Sequence, residues 1–391
     1  MNFHIPHFSD HTINSDAKNA IVVVGIRPNK FIINNLVELT RYYKNSAVPY
    51  DVFYIPDDDG QPFIHPELNI LQVSKMECSQ QGFQHMIMFH HTVPNNAHVC
   101  GWDKALYIAS KLKKYDHYWL IEDDVFYSHL DLFSEVDSKT FDFDLLCKEF
   151  FPTLLRTPPF PAELLKDNWE IDPADSVPKR INPLNGFRES VVTHALSKFK
   201  KGDYLGAIKS YQENCALESF APESSWLVPP PHIHSLSSVL RISHKLLRTI
   251  ADFAATHATL FIQEYIFTTL AYHNNLKVGH QHFNGRDGAL QEMQKHYNKF
   301  TNHEYLEDSV GYKVFQIDYM RNDFNNVAAD KTLSGAEKCN ILVNGIEGQS
   351  FPFLSKFFRP NPEARVLFHP FKDVSLFQQV RKVLHKQLAL S

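Results

Sequence analysis

The chain has 391 residues, with 43% hydrophobic and 21% charged residues and a formal net charge of -5, a composition typical of globular proteins. The net charge excludes a general nucleic-acid surface, so no nucleic acid is expected among its partners. Its five cysteines are scattered and form no CxxC pair, so their spacing predicts neither a disulfide framework nor a zinc site.

The first residues of the chain contain no basic segment followed by an apolar one. The apolar runs elsewhere have the length of strands, so no transmembrane segment is predicted. If the chain is complete, these features predict a cytoplasmic protein. We interpret residues 1–18 as a loose leader and residues 19–391 as one folded domain.

Strands and helices are predicted to alternate in the first third of the chain. Short β-branched runs bounded by turn residues predict strands, and apolar residues at helical spacing predict helices. In chain order, these elements are a strand in 19–30, a helix in 31–45, strands in 50–60 and 68–74, a helix in 101–116 and a strand in "HYWLIEDDVF" (117–126). The alternation predicts βαβ units and therefore an α/β fold with a mostly parallel sheet flanked by helices.

The middle of the chain is predicted to carry insertions. Residues 150–190 are rich in proline and are interpreted as surface loops. Residues 195–218 have the spacing of one tetratricopeptide-type helix pair, which would offer a contact for another protein. A single repeat cannot bury its own faces, so a helical insertion packed on the main domain is favoured. Helices and strands return in 235–280, and the C-terminal tail predicts a strand, a turn and a helix.

Three carboxylates, Glu122, Asp123 and Asp124, directly follow the apolar strand segment "YWLI". In an open α/β sheet, ligands bind beyond the carboxyl ends of the strands, where these side chains are expected to lie. Because unpaired buried charges are costly, the triplet predicts a divalent cation, Mg²⁺ or Mn²⁺, together with a substrate phosphate. Glu122 and Asp124 share a face if the strand continues, whereas a bend would allow Asp123 to take part. We rank Asp124 first as a metal ligand and Asp123 second, and we expect Glu122 to be structural. The alternative is a strand that ends in solvated acids.

The segment "CGWDKALYIASKLKKYDHYWLIEDDVFYS" (100–128) resembles the helix and strand that lead to the DXD-type metal site of GT-A-fold glycosyltransferases. The resemblance implies a GT-A-like, Rossmann-type fold in which Asp124, with Asp123 and Glu122, holds the metal that bridges two phosphates of a nucleotide sugar. It implies a domain made of a nucleotide-binding half (19–130), a loop region with the helical insertion (131–234), and an acceptor-binding half with the tail (235–391).

Two further segments resemble the same family. In 241–278, Glu264 matches the acidic residue that opens an acceptor-side helix, which implies a general base; a carboxylate that only favours the helix dipole is an equal alternative. In "LFHPFKD" (367–373), His369 matches the C-terminal histidine that completes the metal site, and Lys372 would lie near a phosphate. His280 or His282 could take the ligand role instead.

The resemblance also implies nucleotide contacts at the first strand and at the helix that begins near residue 101. Gly25 and Arg27 would lie beside the base and ribose, with Arg27 contacting uracil or a phosphate, although Gly25 could serve only the turn. Asp103 and Lys104 would face the same crevice from a helix N-terminus, where phosphate is favoured, although Lys104 could be an ordinary surface residue.

Together these matches imply a glycosyltransferase that moves a sugar from a nucleotide-diphosphate sugar, with a UDP-sugar favoured, to a hydroxyl of a glycan or glycoconjugate. Inversion is favoured if Glu264 is the base, and retention if it lies far from the reacting carbon. One alternative is a sugar-phosphate nucleotidyltransferase, although "GIRPNK" (25–30) is poor in glycine for a triphosphate loop. Another is a non-catalytic binding or scaffold protein.

Overall fold

The structure is a computed structural model. It describes residues 13–60, 62–86, 97–151, 234–260, 263–281, 303–306, 312–316, 326–327, 330–344, 365–369 and 374–389. The helix pair predicted in 195–218, most of the proline-rich segment, His282 and Lys372 lie outside the described residues, and so do the side chains of Glu264 and His280.

The strands of the described residues are β1 (Asn19–Gly25), β2 (Tyr50–Pro56), β3 (Asn69–Ile70), β4 (His85–Met86), β5 (Ala97–His98), β6 (His117–Glu122), β7 (Phe126–Tyr127), β8 (Leu145–Phe151), β9 (His234–Ser243), β10 (Val278–Gln281), β11 (His303–Leu306), β12 (Tyr312–Gln316) and β13 (Arg365–His369). The helices are α1 (Lys30–Lys44), α2 (Lys75–Gln80), α3 (Gly101–Lys111), α4 (Leu132–Thr140), α5 (His244–His257), α6 (Gln263–His273), α7 (Gly335–Asn344) and α8 (Phe377–Leu388), with a 3-10 turn at Val374–Leu376.

The main sheet has eight strands in the order β11-β10-β8-β9-β6-β1-β2-β3. All neighbouring pairs are parallel except those of β9, which runs antiparallel to both β6 and β8. The predicted α/β fold, with a mostly parallel sheet flanked by helices, is confirmed. Because β1, β2 and β6 run side by side and parallel, their carboxyl ends meet at one edge of the sheet.

Strand β6 is buried on both faces, as its apolar sequence predicts. Tyr118 and Leu120 pack into one hydrophobic core, and Trp119 and Ile121 pack into the other. A buried polar contact ties this strand to its surroundings, because the Trp119 indole donates to Asp137. The same carboxylate pairs at 2.7 Å with the fully buried guanidinium of Arg241 in β9. Strand β6 is therefore a rigid support for the residues that follow it.

A second sheet brings the C-terminal part of the chain to the end of β6. It has the order β12-β13-β7, with β13 antiparallel to β7 and parallel to β12. Phe368 lies opposite Phe126, and one more residue of this register sets His369 opposite Val125. The fold therefore places the end of β13 beside residues 122–125, although about 240 residues separate them in sequence.

Some predicted boundaries differ from the structure. The strand predicted in 68–74 is limited to Asn69–Ile70, and the helix predicted in 101–116 ends at Lys111. Part of the predicted leader is packed, because Ala17 is buried and the Asn14 amide donates to the Asp51 carboxylate at 2.9 Å. Among the described helices, none combines the length and apolar character needed to cross a bilayer.

Candidate metal and nucleotide site

Glu122, Asp124 and His369 meet at the carboxyl end of β6. The His369 Nε2 atom lies 2.8 Å from Glu122 Oε2 and 3.2 Å from Asp124 Oδ1. The Val125 amide donates to the Glu122 carbonyl at 3.1 Å, which closes a turn with Asp123 and Asp124 at its centre. The turn puts Glu122 and Asp124 on one side, so the cluster offers two carboxylate oxygens and one imidazole nitrogen within 4.8 Å of one another.

The two carboxylates determine the charge of the imidazole. Burial alone would lower the pKa of His369, but its hydrogen bonds to Asp124 and Glu122 and the charges of both groups outweigh burial and raise that pKa to about 9. Without a metal, the imidazole is therefore protonated at neutral pH. A metal ligand must be the neutral imidazole, so a metal and this proton compete for the same nitrogen.

Trp102 orients Glu122. Its indole Nε1 donates to Glu122 Oε1 at 3.1 Å, which leaves Oε2 directed toward His369. Trp102 lies in the first turn of α3 and is buried against Phe267 of α6, with the ring centroids 6.1 Å apart. The first turn of α3 thus connects the carboxylate cluster to the helix that carries Glu264.

Asp123, which was predicted as a metal ligand ahead of Glu122, lies outside this cluster and points toward the end of β1. Its Oδ2 accepts a hydrogen bond from the Tyr54 hydroxyl at 3.1 Å. A Cβ atom on Gly25 would lie 1.7 Å from the same oxygen and 2.5 Å from the Tyr54 hydroxyl, so a larger residue at this position would displace the Asp123 carboxylate. Burial and the charge of Asp123 raise the pKa of Tyr54, so the phenol stays protonated and remains a donor. Gly25 therefore leaves room for the Asp123 carboxylate in this position.

A second acidic triplet, Asp57–Asp59, follows β2 at the same edge of the sheet. Lys104, which is fully buried, places its Nζ 2.6 Å from Asp59 Oδ1 and 3.9 Å from Asp57 Oδ1. Arg27 is 61% exposed, and its Nε lies 3.8 Å from Asp58 Oδ2. The Lys104 ammonium thus offsets part of the negative charge of residues 57–59 from inside the protein and is not an ordinary surface charge.

Asp103 is also engaged inside the protein. Its Oδ2 accepts a hydrogen bond from the Cys100 backbone amide at 2.8 Å, which caps the start of α3, and pairs with His85 Nδ1 at 2.7 Å. The Cys100 thiol donates to Gln263, the first residue of α6, at 3.3 Å. Helix α3 does begin at the predicted crevice, but Asp103 and Lys104 both make internal contacts in this structure.

The structure therefore brings together Glu122, Asp124 and His369. Asp123 lies close by, beside Gly25 at the end of β1. Glu264 is the second residue of α6, as expected for an acid that opens a helix. Sequence reasoning missed the roles of Trp102 and Tyr54, which no spacing rule singles out. It also passed over residues 57–59, although three acids directly after an apolar strand are the same signal as residues 122–124.

No protein-family model and no curated protein matches the chain. Among solved structures, it is similar to the mannosyltransferase Ktr4p from S. cerevisiae, with 11% identity and a TM-score of 0.27 over 62% of this chain and 61% of that one. It is also similar to core-mannan synthase A from Aspergillus fumigatus in its Mn/GDP form, with 12% identity and a TM-score of 0.29 over 68% and 73% of the two chains.

A further similar structure is mouse xyloside xylosyltransferase 1 in its apo form, with 10% identity and a TM-score of 0.31 over 80% of this chain and 92% of that one. The match to Ktr4p spans about three fifths of that protein's chain. These likenesses are too distant to carry an argument about activity, which depends on the site itself.

Proposed function

We propose that this chain is a metal-dependent glycosyltransferase that transfers a sugar from a nucleotide-diphosphate sugar to a hydroxyl of a glycan or glycoconjugate. The observation that carries the proposal is the convergence of Glu122, Asp124 and His369 at the carboxyl end of β6, a central strand of the mostly parallel sheet. Ligands of open α/β sheets bind at such ends. The other ligands of the metal would be the two phosphates of the donor.

The donor atoms of the cluster fit Mn²⁺ or Mg²⁺. Two carboxylate oxygens and one imidazole nitrogen suit a hard or borderline divalent ion that also keeps phosphate oxygens as ligands. Glu122 is already oriented by Trp102, as expected of a ligand held by an outer partner. A bound ion would supply an electrostatic partner for the negative charge that develops on the departing nucleotide diphosphate.

The residues beside the cluster have roles that follow from their contacts. Asp123, held by Tyr54 over Gly25, presents a carboxylate that would accept a hydrogen bond from a nucleotide hydroxyl. Arg27 is mostly exposed and only loosely paired with Asp58, so its guanidinium is free to turn toward a base or a phosphate. Lys372 is proposed as a further phosphate contact from the resemblance alone.

Glu264 is proposed as the base that deprotonates the acceptor hydroxyl, with inversion at the sugar. Helix α6 begins against the start of α3 through the contact between Gln263 and Cys100, and it packs on Trp102 through Phe267. Through Trp102, Phe267 in the second turn of α6 lies one side chain away from Glu122. An acid in the preceding turn of this helix would be suited to act on a hydroxyl brought to the donor sugar.

A nucleotidyltransferase is a weaker candidate, because the loop after β1 is not built to hold a triphosphate. The Asn29 side chain accepts hydrogen bonds from the Phe31 and Ile32 amides at 2.9 and 3.1 Å, so the protein itself caps the start of α1. The amide groups that a phosphate would bind at this helix are therefore already engaged.

A thermal-shift screen tests the donor class. UDP, GDP, CMP and nucleoside triphosphates would each be added with and without Mn²⁺ to the wild type, to Asp124→Ala and to the control Asp252→Ala, which changes an exposed acid in α5. We expect a nucleoside diphosphate to stabilise the wild type and the control only with Mn²⁺, by about 2.7 kcal/mol at 100 times its Kd. Stabilisation that does not need metal, or that persists in Asp124→Ala, would remove this site from the proposal.

Glu264→Gln tests the base. This change keeps the size and polarity of the side chain but removes its ability to take a proton. We expect near-total loss of transfer, with metal-dependent nucleotide binding retained, and a product whose anomeric configuration is opposite to that of the donor in the wild type. Unchanged turnover would eliminate Glu264 as the base, and a product with retained configuration would eliminate the inverting mechanism.

A further inference from the structure

A second cluster of metal-ligating side chains lies apart from Glu122, Asp124 and His369. It consists of His85 in β4, Cys100 just before α3 and Asp103 in the first turn of α3. One atom from each residue, the histidine nitrogen, the thiol sulfur and a carboxylate oxygen, lies within 4.8 Å of the others. His85 and Asp103 are buried, and Cys100 is partly buried.

From this cluster we infer a structural zinc site, with His85, Cys100 and Asp103 as three ligands and the Gln263 amide oxygen or a water as the fourth. Tetrahedral zinc with bonds of about 2.0–2.3 Å keeps its ligand atoms about 3.3–3.8 Å apart. The His85–Asp103 pair at 2.7 Å and the Cys100–Gln263 pair at 3.3 Å need only small side-chain movements to reach these separations. On binding, the thiol proton leaves to solvent and the metal replaces the His85–Asp103 hydrogen bond.

The charges of the cluster suit zinc at a buried position. A helix N-terminus disfavours a net positive charge. A thiolate and a carboxylate together balance the charge of a divalent ion, so the occupied site carries no net charge and avoids this penalty. The two clusters also differ in the metal that their ligand atoms prefer, because only this one contains sulfur. Thiolate selects zinc over Mn²⁺ and Mg²⁺, whereas the oxygen-rich cluster at Glu122 and Asp124 suits the harder ions.

The site would join three elements that sequence does not connect. His85 belongs to the β4–β5 ribbon, Cys100 and Asp103 belong to the start of α3, and Gln263 begins α6. The spacing of the cysteines gave no sign of zinc, because only one ligand is a cysteine and His85 comes from a different element. A zinc ion here would fix the start of α3, where Trp102 lies, against the start of α6.

Cobalt is the probe for this site, because Co²⁺ replaces Zn²⁺ in tetrahedral sites and absorbs strongly when a thiolate is bound. The full-length protein, stripped of metal, would be titrated with Co²⁺ and then with competing Zn²⁺. We expect one thiolate-bound cobalt per chain, displaced by zinc, in the wild type and in Asp124→Ala. The cluster at Glu122 and Asp124 contains no sulfur and cannot give this band, so the result is independent of the proposed transferase activity.

Cys100→Ser should remove the band and weaken zinc binding by at least about 100-fold. Serine caps helices well, so the metal-free variant should melt like the metal-free wild type, and zinc should stabilise only the wild type. Cys147→Ala, which removes a buried thiol in β8, is the matched control and should keep the band. His85→Gln should lose the band as well. Absence of a thiolate band in the wild type, or its persistence in Cys100→Ser, would overturn the site.

Discussion

Two turns in this protein have nearly the same sequence signal and different surroundings. Residues 57–59 form the β2 turn and residues 122–124 form the β6 turn, and each places three acids after a buried strand at the same edge of the sheet. In the β2 turn, the buried ammonium of Lys104 lies 2.6 Å from Asp59. In the β6 turn, the partners include the Tyr54 hydroxyl, the Trp102 indole and the His369 imidazole.

The difference shows what turns a cluster of acids into a candidate metal site. The β2 turn already contacts an ammonium group of the protein itself, so part of its negative charge is offset before any ligand arrives. The β6 turn is held by hydrogen-bond donors and by an imidazole that can give up its proton to a metal. Both turns have three carboxylates, so their number does not distinguish them. The β6 turn is suited to a metal and a diphosphate because its positive charge, the His369 proton, can be replaced by a metal ion.

The largest expected effect comes from neutralising the β6 turn. Glu122→Gln with Asp124→Asn keeps oxygen atoms in place but removes both anionic ligands. We expect metal-dependent nucleotide binding to disappear and turnover with the identified donor to fall at least about 10³-fold, because charge on the leaving diphosphate is no longer offset. Turnover and thermal shift with Mn²⁺ measure this. If the double variant kept its activity, the metal site would have to lie elsewhere.

The same exchange in the β2 turn should act on stability and leave metal binding intact. Asp57→Asn with Asp59→Asn leaves the fully buried Lys104 ammonium with the Asp58 carbonyl, at 3.3 Å, and neutral amide oxygens. Removing the charge partners of a buried ion costs about 3 kcal/mol in free energy of unfolding. Denaturant unfolding measures the loss, and the Mn²⁺-dependent nucleotide shift should remain. Loss of that shift in a folded variant would make the β2 turn part of the site.

The contrast between the turns also defines what the sequence could predict. The alternation of strands and helices was predicted correctly, because β-branched and aromatic runs such as Ile21–Val24 have one favourable environment, a buried strand. The pairing of each turn was not predictable, because Lys104 follows Asp59 by 45 residues and reaches it only through packing of α3. The sequence favoured Asp123 over Glu122 as the partner of Asp124, whereas the cluster in the structure contains Glu122. The choice depends on the turn that begins at Glu122, which directs Asp123 toward Tyr54.

An effect of intermediate size is expected from pH. As pH rises, the folding stability of the metal-free protein should fall, whereas its affinity for Mn²⁺ should rise. The folded-state pKa of His369, about 9, lies above its ordinary value of 6.5. In the metal-free protein, its stabilising contribution is therefore complete below pH 6.5 and is lost as pH rises through 9. Metal binding needs the neutral imidazole, so Mn²⁺ affinity should instead rise about 50-fold between pH 7 and pH 9, as the neutral fraction of the imidazole rises from about 1% to one half.

His369→Gln is the reference for both measurements, because glutamine keeps a polar side chain that does not titrate. Thermal unfolding without metal should show the wild type losing its advantage over this variant between pH 6.5 and pH 9. Mn²⁺ titrations should show the rising affinity only in the wild type. The β2-turn double variant should follow the wild type in both, and a flat affinity in the wild type would mean that His369 does not bind the metal.

The smallest expected effect comes from removing the cation of the β2 turn. Lys104→Met keeps the length of the side chain but leaves Asp57 and Asp59 without the ammonium. Because the Asp59 side chain is 43% exposed, water can solvate its charge, so the loss should be about 1 kcal/mol and smaller than that of the double asparagine variant. Denaturant unfolding of the two variants side by side measures this asymmetry.

Lys104→Met also tests whether an exchangeable cation is what separates the turns. If so, the variant has an acidic triplet that lacks its internal charge, and Mn²⁺ should restore part of the lost stability by taking the place of the ammonium. The Asp124→Ala variant, which keeps Lys104 but lacks the β6-turn metal site, should not be stabilised by Mn²⁺. This explanation would be wrong if Lys104→Met were as unstable as the double asparagine variant and did not respond to Mn²⁺. The two turns would then differ in their geometry, and not in whether their cationic partner can be exchanged for a metal.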